Sequence, residues 1–173
     1  VSENAKSEAD RQARAPAPAF EGKDAEGRTM VLAKLAADKP VVLYFIEREC
    51  PCSRDAAVHL QRLQDAYGDA IRVVGVINAS ADAAKEWQRQ AKVTFPVLID
   101  PFCEVIHAYK AARSAQSTLV APGAGIAKAY PGYNVASLDD LNAQVAKLLG
   151  ATAKTVSTEG APAKLTAGCT FPE

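Results

Sequence analysis

Val41-Val42-Leu43-Tyr44-Phe45-Ile46 runs through Glu47-Arg48-Glu49 into Cys50-Pro51-Cys52-Ser53, and a helix-like stretch follows from Arg54 to Tyr67. The apolar run predicts a strand. A strand that delivers a cysteine to a helix start is an arrangement for making a reactive thiolate. The free N–H groups and the dipole at a helix N-terminus favour ionised sulfur. Pro51 suits the first helical turn, because the N–H it lacks would have had no intrahelical partner there. The stretch points to thiol redox chemistry and leaves the substrate open.

Outward from this stretch, strands and helices alternate. Ile71 to Asn78 reads as a second apolar strand, and Ala81 to Ala91 as a helix with Ser80 or Asp82 as its cap. Phe95 to Ile99 reads as a short strand and about Phe102 to Lys110 as a helix. Gln116 to Ala121 and Ile126 to Tyr130 form a predicted hairpin across Pro122-Gly123-Ala124-Gly125. Ser137 is read as the cap of a last helix, with Asp140 three residues on and Gly150 as its stop. Upstream, Asp24-Ala25-Glu26-Gly27-Arg28 reads as a hairpin-type turn. The pattern predicts an α/β domain with a central mixed sheet flanked by helices.

Three segments follow from the same pass. Residues 1–14 are an N-terminal extension, a loose helix or mobile; 15–150 are the domain; 151–173 lack periodicity and read as a flexible or draped tail that carries Cys169.

The 173 residues, 49% of them hydrophobic, suffice for one cored domain. Lys+Arg and Asp+Glu balance at 20 each, so no basic field attracts nucleic acid. No run of about 18 apolar residues is present, so no membrane span is expected. Four cysteines are too few for a disulfide scaffold, and spare cysteines in a self-sufficient core read as reactive. The chain starts at Val1, after which comes a hydrophilic, Pro/Ala-rich lead; an extracytoplasmic location is the expectation.

Several pieces together resemble the thioredoxin-like superfamily in its redoxin (AhpC/TSA-like) branch, which includes extracytoplasmic thiol–disulfide oxidoreductases and peroxiredoxins. They are Ala15 to Phe20 with Gly27, Lys39 to Phe45 running into Cys50, Thr94 to Asp100, Ala108-Tyr109 and the final hairpin with its helix. The resemblance implies a thioredoxin-like fold over roughly residues 15–150. The sequence departs from the family in three places. Only Pro51 separates Cys50 from Cys52, where the usual redox pair has two residues between its cysteines and would put the second at Ser53. Ala115 stands where thioredoxins place a cis-proline, with Arg113 nearby. Glu47 stands where peroxiredoxins place a threonine.

The resemblance implies that Cys50 is the attacking sulfur. Cys52 has two readings, a partner that closes a strained disulfide with Cys50 or a bystander, and the leading expectation has it resolve the mixed disulfide. Cys169 on the tail and Cys103 are further resolving candidates, although an inert buried thiol is the plainer fate of Cys103. Arg48 and Arg54 are expected to lower the pKa of Cys50, Glu47 and Glu49 to raise it, and Ser53 to orient the thiolate. Arg113 is a supporting candidate. The leading expectation is a thiol–disulfide oxidoreductase. It needs no cofactor and no resident metal, acts on a protein or small-molecule disulfide, and draws electrons from a thiol reductant protein. One alternative is a peroxiredoxin-like peroxidase acting on peroxide. The other is a copper(I) carrier using the two close cysteines; Cys103 and His107, four apart, could likewise share a metal.

Overall fold

The computed structural model describes residues 1–173. Its elements are α1 (Glu3–Gln12), β1 (Glu21–Lys23), β2 (Thr29–Val31), α2 (Leu32–Leu35), β3 (Val41–Ile46), α3 (Pro51–Tyr67), β4 (Arg72–Ile77), α4 (Ala81–Ala91), β5 (Val97–Ile99), α5 (Glu104–Ala108), β6 (Gln116–Ala121), β7 (Gly125–Tyr130) and α6 (Val135–Leu149). The five-stranded sheet has the order β5-β4-β3-β6-β7. β3 pairs parallel with β4 and antiparallel with β6, which makes the sheet mixed as expected.

β3 lies at the centre, and all six of its residues are buried. That is why it reads as an unbroken apolar run rather than an alternating one. Its side chains divide by parity between two cores. Val42, Tyr44 and Ile46 join Ala56, Leu60 and Leu63 of α3, Trp87 of α4, and Leu141 and Val145 of α6. Val41, Leu43 and Phe45 join Phe20, Leu32, Ile106 and Tyr109 on the other face. The sheet is thus covered on both sides, and its central strand ends where α3 begins.

Several boundaries differ from the sequence reading. The extension is a helix, α1, capped by the Ser2 hydroxyl, which accepts from the Ala5 N–H. It packs beside β7, with Ala9 buried. The last helix starts earlier, at Asn134 rather than Ser137. The Asn134 side chain accepts from the Ser137 N–H and the Ser137 hydroxyl accepts from the Asn134 N–H, each at 2.9 Å, so Ser137 is the reciprocal partner of the cap. Asp140 turns to the sheet instead and accepts from Lys128 Nζ and the Tyr130 hydroxyl. β5 begins only at Val97, because Pro96 has no N–H for the ladder. Cys103 is the residue before α5, at φ 58°, and not within the helix.

The segment after Gly150 is extended and hydrogen-bonded to the domain at intervals. The Tyr67 hydroxyl accepts from the Lys154 N–H. Arg62 donates to the Ser157 and Glu159 carbonyls. Tyr133 and Thr166 pair their backbones both ways, at 2.8 and 2.9 Å. Val156 packs against the α3 core, whereas Phe171 is buried in the opposite one. The tail therefore passes from one face of the sheet to the other, across the end where β3 feeds α3.

Candidate active site

Cys50 is the N-cap of α3, with an extended backbone, and Pro51 is the first helical residue. The turn from β3 is closed by a hydrogen bond from the Cys50 N–H to the Glu47 carbonyl. Ser53 fixes the next turn. Its hydroxyl accepts from the Glu47 N–H at 3.2 Å, and its carbonyl accepts from the buried Tyr44 hydroxyl at 2.7 Å. Ser53 is fully buried and holds the loop, so its place is beneath the sulfur's turn.

The thiol expected to be reachable is only 1% exposed. The tail covers it. The Cys169 N–H donates to Cys50 Sγ at 3.1 Å. Gly168 lies so close that a Cβ there would stand 2.9 Å from the sulfur and 3.3 Å from Cys52 Cβ, and would collide with the Ser114 hydroxyl. Only glycine fits this layer. The tail is held by the residues before β6. The Ser114 N–H donates to the Cys169 carbonyl and the Gly168 N–H to the Ser114 carbonyl, both at 2.9 Å. Arg113 Nη1 donates to the Gly168 carbonyl at 3.1 Å.

Burial pushes the Cys50 thiol up, but the Cys169 thiol, the Ser114 hydroxyl and the N–H groups of Cys169 and Cys52 around it outweigh that, and the pKa falls to about 7. The proton goes to the neighbour: donation to Cys50 raises Cys169 to about 11. Cys52 is raised by burial and then by the Cys50 charge. The sulfur is stabilised by aimed donors at a helix start, so burial here is not an oily interior.

The structure brings Cys50, Cys52 and Cys169 together, all as free thiols, and leaves Cys103 in the core behind β3. Burial and the nearby acids Asp100 and Glu47 raise the Cys103 thiol. His107 is exposed while Cys103 is buried, and no group of three or more metal-binding side chains is present. The arginines have other hydrogen-bond partners: Arg54 donates to Gln90 on α4, Arg48 to Glu49, and Arg113 to the tail. Two site residues went unread in the sequence, Ser114 and Gly168. The only trace of the second was a glycine directly before a cysteine; nothing local marked Ser114. Ala115 follows a trans peptide bond, at φ 61°. The largest cavity, about 450 Å³, lies between α1 and the sheet and touches none of the cysteines.

Similar folds occur among solved structures. A protein assigned as the thiol:disulfide interchange protein DsbE of Chlorobium tepidum has a TM-score of 0.73 at 21% identity, covering 80% of this chain and 98% of that one. Peroxidoxin BcpB of Mycobacterium tuberculosis has a TM-score of 0.67 at 17% identity, covering 80% and 97%. A thioredoxin-family interchange protein of Chlorobium tepidum TLS has a TM-score of 0.64 at 21% identity, covering 79% and 97%. At these identities the likeness is one of fold. No curated protein sequence matches significantly. The AhpC/TSA family profile matches residues 13–129. A match over more than half of the sequence, on a thioredoxin-like fold, settles the assignment: the chain belongs to the AhpC/TSA family of thiol-dependent oxidoreductases.

Proposed function

We propose that the protein exchanges disulfides through Cys50. The observation that carries this reading is the sulfur itself. It has a pKa of about 7, sits at a helix start, and has two further thiols at its side. The Cys50 thiolate attacks one sulfur of a substrate disulfide. A bond forms between Cys50 and that sulfur, and the other substrate sulfur leaves as a thiolate. A second cysteine then gives up its proton and attacks Cys50 Sγ, which forms an internal disulfide and releases the reduced substrate. A partner dithiol returns the enzyme to its reduced state, taking the disulfide with it.

Cys169 is favoured for the second step. Its N–H already lies on Cys50 Sγ, and its S–H shares a proton with it. A bridge to Cys52 would close a small, strained ring inside the first turn of α3. It would also disturb the N–H that Cys52 aims at the sulfur. Disulfide exchange is favoured over peroxide reduction because Glu47 stands where peroxiredoxins place a threonine, and Arg48, Arg54 and Arg113 are each hydrogen-bonded to a partner other than the sulfur. Residence outside the cytoplasm fits the reading, since disulfides persist in oxidising compartments.

The test is stopped-flow reaction of the reduced protein with glutathione disulfide and, separately, with hydrogen peroxide. Exchange that outpaces free cysteine and vanishes in Cys50→Ser supports the proposal. A peroxide reaction far faster than that of free cysteine, with slow disulfide exchange, makes the protein a peroxidase instead.

A further inference from the structure

The tail segment over Cys50 has the form of a bound peptide. From Thr166 to Phe171 it is extended and pairs its backbone with two separate loops, at Tyr133 and at Arg113–Ser114. The last pairing is that of an added antiparallel strand, in which main-chain bonds give affinity whatever the side chains. The side chains themselves contribute little. Leu165 to Phe171 carries no charge, and apart from the Cys169 thiol at Cys50 its one side-chain hydrogen bond runs from the Thr166 hydroxyl to Lys164 within the tail. Two features are specific. Gly168 is the only residue that fits against Cys50 Sγ, and Phe171 fills the core beyond it. Together they place a cysteine, with a glycine before it, beside the reactive sulfur.

We propose that Thr166–Phe171 is a strap lying on the protein's own peptide-binding edge, and that the partner of this edge is an extended polypeptide segment whose cysteine follows a glycine. The inference rests on Cys50 being the nucleophile. The strap must lift from Ser114 for such a segment to reach Cys50, and its return brings Cys169 back to resolve the bond. Lifting costs the backbone pairing and the Phe171 contact, and frees Arg113, Ser114 and the sulfur at once. A small disulfide needs less room than a polypeptide, so the strap discriminates by size.

The test uses the full chain with its four cysteines and reads alkylation of Cys50 by iodoacetamide, resolved by peptide mass mapping. Phe171→Ala removes the anchor, and Gly168→Ala wedges the strap off the sulfur. Read at about pH 10, where Cys50 is ionised with or without the strap's donors, each is expected to speed Cys50 alkylation at least about tenfold, because the closed state protects in proportion to its population. Each is also expected to accelerate exchange with a polypeptide disulfide more than with glutathione disulfide. A capped peptide spanning Leu165 to Phe171, with serine for the cysteine, should restore protection when added to Phe171→Ala. In the unaltered protein, hydrogen exchange should show the Gly168 and Ser114 amides opening together and faster than those of β3. Unchanged alkylation in both variants, or strap amides that exchange only as slowly as β3, overturns the proposal. If Cys50 is unmasked in the variants but exchanges with no disulfide, the strap stands and the catalytic reading falls. If the unaltered protein exchanges well and the variants alter nothing, the reverse holds.

Discussion

The lowered pKa of Cys50 comes from hydrogen-bond donors, and that cause is measurable. An ordinary cysteine ionises near 9, whereas Cys50 ionises near 7. Its alkylation rate should therefore rise through pH 7 and level off about two units earlier than that of a free thiol. The sign is fixed by chemistry: the thiolate is the nucleophile, and it is lost as pH falls through the pKa. Because the profile comes from hydrogen bonds, it should hold up in high salt, which screens charges at a distance. Replacing Cys169 with Ala keeps the strap's N–H but removes the S–H donor, so the midpoint should move upward. The Ser114 hydroxyl is buried with no hydrogen-bond partner of regular geometry, yet it is among the groups that lower the Cys50 pKa. Ser114→Ala should accordingly raise the Cys50 midpoint while changing thermal stability by less than about 1 kcal/mol. A loss of stability with an unmoved midpoint would make Ser114 merely structural.

Individual elements carry their own requirements. Asn134 caps α6 through its side chain, and Asn134→Ala should cost about 1 kcal/mol by denaturant unfolding. Gly75 in β4 leaves no room: a Cβ there would lie 2.7 Å from Ile46 Cδ1 and 3.1 Å from Val97 Cγ2. Gly75→Ala should cost about 1–3 kcal/mol through overpacking at the end of β3 that feeds the site. Elements with strong periodicity were legible from sequence alone. β3, α4 and β6 lie where their apolar patterns put them, because each buries a face that its residues advertise. The start of α3 was legible for a chemical reason, the proline that cannot donate. α6 was misread because two residues with capping side chains, Asn134 and Ser137, lie three apart, and both take part. The four-residue α2 was not read at all; it is too short to show a period. The lid over the sulfur was illegible for a different reason. It depends on Ser114 and Gly168, which are 54 positions apart and meet only through backbone bonds that leave no mark on side-chain pattern.

Across the whole molecule, four thiols sort into two environments. Cys103 is sealed in the core opposite α3, and burial holds its proton on. It should remain unlabelled by iodoacetamide in the native protein, while Cys50, Cys52 and Cys169 react or form disulfides. Mass mapping of the air-oxidised protein should find Cys50 bonded to Cys169 and Cys103 free. A Cys50–Cys52 bridge would instead make the tail a cover without a redox part. No helix is long and apolar enough to cross a bilayer. The path of the tail has a practical outcome. It threads around the sheet and tucks Phe171 inside. A purification handle fused at the carboxyl end would hang on the doorstep of the reactive sulfur and tug at its latch, so handles at the two ends should give enzymes of different speed.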